Sequence, residues 1–168
     1  IDGQDLSKVL SNEIRRKISF VPQNPKLFNR SVYDNITYGM PNKTREDVDR
    51  VIKKLNLEPI FESLNDKLET IAGKNGDNLS GGQRQVVFLL RSVLKDNKII
   101  ILDEPTSALD NENRRFIMNI LEEMFKTKTL IIITHDNEIL DHVDRIVYLK
   151  YGKLVQDTLT KKNNLNTY

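Results

Sequence analysis

Lys98-Ile99-Ile100-Ile101-Leu102-Asp103-Glu104 is the stretch on which the reading of this chain turns. A continuous apolar run closed by two acids is the pattern of a strand buried on both faces of a parallel sheet, its acidic end facing a ligand. Upstream, Ser80-Gly81-Gly82-Gln83 has the spacing of a capping box and opens a helix with Val86, Leu89, Leu90, Val93 and Leu94 facing inward. Downstream, Phe116, Ile117, Ile120, Leu121 and Met124 fall at helical spacing, and Thr129 to Thr134 forms a second buried strand leading straight to His135. Strand, helix and strand in alternation imply a βαβ layout and an α/β fold.

The outer segments are less regular. The opening, residues 1–16, is polar and reads as irregular, and Lys17 to Val21 is a short β-rich run stopped by Pro22. Thr44 can cap an amphipathic surface helix whose Val48, Val51, Ile52 and Leu55 share one face, with Asp47 three residues beyond the cap. Near the end, Arg145 to Lys150 and Lys153 to Asp157 read as two strands joined at Tyr151-Gly152, followed by a Lys-, Asn- and Thr-rich tail expected to fray. No repeat is visible, and no linker divides the chain.

Composition narrows the classes of function. The 168 residues suffice for one core, and 26 basic against 24 acidic side chains leave a net charge of +2 that is not gathered into an arm or patch. Nucleic acid is therefore not an expected partner. The absence of cysteine removes disulfides and thiolate metal sites. No apolar run reaches the ~20 residues of a membrane helix, so a membrane role must come through a partner or through sequence outside this chain.

Leu79-Ser80-Gly81-Gly82-Gln83 resembles the signature of the ATP-binding-cassette family. Glycines at a helix start let bare amides, at the positive end of the helix dipole, approach a phosphate oxygen, and Ser80 adds a hydroxyl. A capped helix start with no ligand has the same local pattern. Twenty residues beyond Gln83, the strand ending in Asp103-Glu104 resembles a Walker B motif; Ser107-Ala108-Leu109-Asp110 resembles the D-loop; His135 matches the switch histidine; Gln23 matches the Q-loop glutamine. These stand in family order at family spacing. Pro22 to Phe28, with Ser31 to Ile36 and Tyr38-Gly39, resembles the exporter branch.

The resemblance implies a P-loop NTPase-like (RecA-like) parallel sheet with an inserted helical subdomain and incomplete N-terminal strands. Residues 1–157 would form a partial cassette, with 24–95 as the helical signature subdomain, 1–23 and 96–157 as the remaining core, and 158–168 as a flexible tail. The implied function is ATP binding and hydrolysis coupled to export. Asp103 would bind Mg²⁺, Glu104 would act as general base, His135 would contact the γ-phosphate, and Gln23 would reach the metal through water. Leu79, Ser80, Gly81, Gly82 and Gln83 would act on ATP held by a second cassette, identical or different, across an interface that the D-loop residues Ser107, Ala108, Leu109 and Asp110 also touch. A transmembrane domain is the other implied partner, which would hold the cassette at the cytoplasmic face of a membrane.

The chain also departs from the family pattern. No Gly-x-x-x-x-Gly-Lys-[Ser/Thr] loop is present: the Gly-Lys pairs at 73 and 152 lack a glycine five residues earlier and a following Ser or Thr. Ile1 to Asp5 resembles the segment just downstream of that loop. Little affinity for ATP is expected of this chain alone, and an apolar edge is expected along Leu130 to Ile133. Lys74 stands where exporters commonly carry an acid. One alternative is a degenerate cassette that dimerises with a complete one and regulates it. Another is a soluble cassette of DNA repair, chromosome architecture or translation, against which weigh the short, heptad-free interval from Asn24 to Asn78 and the weak basic character.

Overall fold

The computed structural model describes residues 3–9, 11–107 and 109–160, and the chain divides into two compact units, 1–133 and 134–168. In the first unit a short helix α1 (Ser11–Lys17) runs directly into strand β1 (Ile18–Val21). Sequence reading expected irregular chain where α1 lies. Ile14 is the lone large apolar residue of its central turns, too few to give a periodic signal. The chain then passes through helices α2 (Val32–Ile36), α3 (Arg45–Lys54) and α4 (Glu58–Glu62) to the long helix α5 (Gly81–Leu94), strand β2 (Ile99–Asp103), helix α6 (Asn111–Thr127) and strand β3 (Thr129–Ile133).

The three strands form one parallel sheet in the order β1-β2-β3, so β2 is central. Ile100 and Leu102 are fully buried and Ile99 and Ile101 half-buried, so the strand expected to be buried on both faces is fully covered on one. Helices α5 and α6 pack together at the centre of the core, with Val86, Leu89 and Leu90 from one and Ile117, Ile120, Leu121 and Met124 from the other. Each such side chain removed from water contributes ~1.5–3 kcal/mol. Both predicted capping boxes form. Thr44 and Asp47 close the start of α3, and Ser80 and Gln83 close the start of α5.

A short antiparallel ladder binds the segment after β1 to the loop before α5. The Val32 amide donates to the Thr70 carbonyl (2.9 Å), the Ala72 amide to Arg30 (2.9 Å) and the Leu27 amide to Asn75 (3.3 Å). Nothing in the alternation of residues 27–32 marks them as strand-like, because only two isolated bridges form. Their effect is to carry the end of β1 alongside the start of α5.

Strand β3 differs from its predicted burial. Among the described residues it pairs with β2 alone, and Ile131 and Ile133 are 51% and 53% exposed. That is the apolar edge anticipated along Leu130 to Ile133, and such edges template aggregation. The double substitution Ile131→Thr/Ile133→Thr should therefore raise the soluble fraction of this chain, measured by light scattering after refolding, while leaving the helical circular dichroism signal unchanged.

The second unit contains a short helix α7 (Asn137–Leu140) and the hairpin of β4 (Arg145–Lys150) and β5 (Lys153–Leu159). Tyr151 and Gly152 make the turn with φ of 51° and 72°, a left-handed pair that suits glycine at the second position. Strand β5 continues through Thr158 and Leu159, two residues past its expected end at Asp157, where the Thr160 amide still bonds the Asp144 carbonyl (2.9 Å). The rest of the expected tail, 161–168, lies outside the described residues. No helix among the described residues is long and apolar enough to cross a membrane.

Candidate active site

Parallel β strands leave their carboxyl ends pointing one way, and ligands of open α/β sheets bind there. The end of β1 leads to Gln23, and the end of β2 is Asp103 followed by Glu104. Both carboxylate residues are half-buried. Glu104 has φ of +48°, a conformation uncommon outside glycine, and its amide donates to the Ile133 carbonyl at the end of β3 (2.8 Å). The turn that follows is closed by Ser107, whose amide and hydroxyl both donate to the Glu104 carbonyl (3.2 and 3.0 Å).

The same hydroxyl accepts a hydrogen bond from Gln23 Nε2 (3.2 Å), so Gln23, Ser107 and the Glu104 backbone form one chain across β1 and β2. Sequence reading placed Gln23 and Ser107 in separate motifs. Their direct bond could not be read from spacing, because 84 residues separate them.

The signature segment divides its work. Leu79 is buried, and Gln83 is committed to the capping box, its Oε1 accepting from the Ser80 amide (2.8 Å) while its Nε2 donates to Ser63 Oγ (3.3 Å). Gly82 is buried against α6: a methyl group there would lie 2.3 Å from Asn113 Cγ and 2.7 Å from Asn113 Cβ. Ser80 and Gly81 are exposed, and a methyl group on Gly81 would meet nothing nearer than Arg84 Nη2 at 4.0 Å. Arg84 holds the preceding loop through Nη1, which donates to the carbonyls of Leu79 (2.6 Å) and Gly76 (3.2 Å).

Asp110 caps α6. Its carboxylate accepts from the Asn113 amide (2.8 Å) and from Asn113 Nδ2 (2.9 Å), and these bonds, the backbone one foremost, hold its pKa below the usual carboxylate value. Asn113 therefore touches Asp110 on one side and Gly82 on the other. It was missed in the sequence, although its place three residues after Asp110 is a capping position. Leu109 is half-buried; Ala108 lies outside the described residues. His135 is exposed and is the second residue of the second unit, directly after Thr134, whose Oγ1 accepts from the Asp136 amide (3.0 Å).

Within the first unit a cleft of about 340 Å³ opens, lined among others by Gln23, Asn24, Gly81, Gln85 and Ser107. Among the described residues no group of three or more acidic, histidine or cysteine side chains is placed to hold a metal. An all-protein metal cage is thus not built here, whereas a hard cation that keeps its waters and substrate oxygens requires only one or two carboxylates. Asp103, at the end of the central strand, fits that lesser demand.

An open parallel sheet with these loops at its carboxyl edge defines a P-loop NTPase-like α/β core. A family model described as ABC transporter matches residues 1–107, and the chain belongs to that family. It is 38% identical over 156 residues to an ATP-dependent lipid A-core flippase of Chromobacterium violaceum, covering 93% of this chain and 27% of the flippase. A second ATP-dependent lipid A-core flippase, from Legionella pneumophila (strain Paris), is likewise 38% identical over 156 residues, covering 93% of this chain and 26% of the relative. Among solved structures, a bacterial Atm1-family ABC exporter with ATP bound superposes with a TM-score of 0.82 at 32% identity, covering 94% of this chain and 27% of that one. The chain thus spans about a quarter of the length of the relatives it matches.

Proposed function

We propose that this chain is the signature-bearing part of the ATPase cassette of an exporter-type transporter, where it turns ATP hydrolysis into movement of a transmembrane domain at the cytoplasmic face of a membrane. The observation that carries the reading is the hydrogen-bonded chain from Gln23 through Ser107 to the Glu104 backbone at the carboxyl edge of the sheet. It joins the loop that would sense the transmembrane domain to the backbone of the residue whose carboxylate would activate water.

In this reading Glu104 takes the proton of the attacking water, and its fixed backbone keeps the carboxylate in place while it does so. Asp103 would hold Mg²⁺, which when bound neutralises charge on the phosphate oxygens. Gln23 orients the water and reports the state of the site to the neighbouring domain. His135, on the segment after β3, contacts the terminal phosphate. Ser80 and Gly81 present a hydroxyl and an amide to nucleotide held by a second cassette, while Leu79, Gly82 and Gln83 position them. The sequence 1–168 contains no Gly-x-x-x-x-Gly-Lys-[Ser/Thr] loop, so the main anchor for the triphosphate is assigned to residues outside this chain.

Titration with a fluorescent ATP analogue and Mg²⁺ tests this. The 168-residue chain, once shown folded by circular dichroism, should give no saturable binding, and a longer chain that includes the upstream phosphate loop should bind in the micromolar range. Micromolar binding by residues 1–168 alone would overturn the assignment.

A further inference from the structure

Gln85 sits on the buried face of α5, between the exposed start of the helix and its core residues Val86, Leu89 and Leu90. Its side chain is 3% exposed, and neither Nε2 nor Oε1 has a hydrogen-bond partner among the described residues. A carboxamide can donate twice and accept twice, and leaving it dry is costly compared with an apolar side chain of the same shape. A methionine would fill this place without that cost. The residue nevertheless borders the polar cleft of about 340 Å³ shared with Gln23, Asn24 and Ser107.

The cleft meets the conditions for ordered solvent. Its lining is mixed, with Pro25, Pro105 and Leu109 beside the amide and hydroxyl groups of Gln23, Asn24 and Ser107, and its volume is about ten times the ~30 Å³ that a water occupies in the liquid. Gln23 already spends one donor on Ser107, which leaves its Oε1 and second amide hydrogen for solvent. Arg84, the other long polar side chain bordering the cleft from α5, is engaged on the Leu79 and Gly76 carbonyls and so is not the partner of Gln85.

We infer that ordered waters in this cleft bridge the Gln85 carboxamide to Gln23 and Ser107, making Gln85 a positioning residue that ties the signature helix to the loop after β1. The inference rests on the cassette reading above for its kinetic consequence, but not for the solvent structure itself. It gives the signature helix a connection to the backbone of Glu104: Gln85 to water, water to Gln23 and Ser107, and Ser107 to the Glu104 carbonyl. The bridge acts on geometry, so it affects the rate of the chemical step rather than affinity for nucleotide.

The test uses the complete transporter that contains this cassette. A crystal structure fine enough to show solvent should place waters on both Nε2 and Oε1 of Gln85, continuing to Gln23 or Ser107. Gln85→Met should keep the melting temperature at or above that of the parent, lower kcat about five- to tenfold, the worth of one hydrogen bond, and leave KM for ATP unchanged. Gln85→Asn, which keeps the carboxamide and leaves room for one more water, should recover most of that rate. A dry cleft, a Gln85 carboxamide bonded to a protein group, or unchanged kcat in Gln85→Met would each overturn the inference. Glu104→Gln run in parallel separates the two failures: if that variant hydrolyses ATP normally, the proposed role of Glu104 as proton acceptor is wrong, while the crystallographic result still decides the solvent bridge.

Discussion

Glu104→Gln in the complete transporter is expected to stop steady-state ATP hydrolysis while leaving nucleotide binding intact. The substitution preserves shape and the left-handed backbone, and the amide of residue 104 can still donate to Ile133. What it removes is a carboxylate able to take a proton, and a positioned general base contributes ~10²–10⁴-fold to rate. Phosphate release should fall by that order, and radiolabelled ATP should remain trapped on the protein after gel filtration. Hydrolysis within a few-fold of the parent would mean that another group accepts the proton. Glu104→Gly would be a poorer experiment, since it relaxes the strained φ and removes the carboxylate together.

Gly82→Ala should destabilise the first unit and Gly81→Ala should not, although the two glycines are neighbours in one motif. A methyl group on Gly82 would lie 2.7 Å from Asn113 Cβ, an atom fixed by its own helix, so α5 and α6 must separate. Overpacking of this kind costs ~1–3 kcal/mol, and each kcal/mol lowers the melting temperature of a domain this size by ~2–4 °C. At Gly81 the added methyl finds open space, and alanine favours helix over glycine by a few tenths to ~1 kcal/mol. Calorimetry on both variants checks the contrast. Asn113→Ala combined with Gly82→Ala should recover part of the loss; equal melting temperatures for the two single variants would show that the Gly82 contact does not constrain the helices.

Long-period features of this chain were readable because burial enforces them. The run Ile99 to Leu102 had to be a central strand, and the apolar faces of α5 and α6 had to meet, since no other arrangement hides them. The capping boxes at Thr44 and Ser80 were readable because their chemistry is local. Helices α1 and α2 were not: each is one or two turns long, and α2 offers only the pair Val32 and Ile36 as a buried apolar face, beside the bonds of Ser31 to the Asp34 amide and of Asn35 to carbonyls of the preceding loop. At the site, residue identities were legible one motif at a time. The bond from Gln23 to Ser107 and the close approach of Asn113 to Gly82 depend on pairings far apart in sequence. The unpartnered carboxamide of Gln85 was hidden for a related reason, since a polar residue in an apolar stripe declares itself only when its surroundings are known.

The bond from the Glu104 amide to the Ile133 carbonyl makes the placement of Glu104 a joint product of two strands. Its location is inherited from the alignment of β2 and β3, in which Asp103 faces Ile133, and not from the turn residues alone. A mutational screen of such a protein would score hits along β3 at positions that touch no substrate, and their signature would be slow turnover in a protein that still assembles. Residues of that kind are easily filed as packing, yet on the function proposed above they would set the clock.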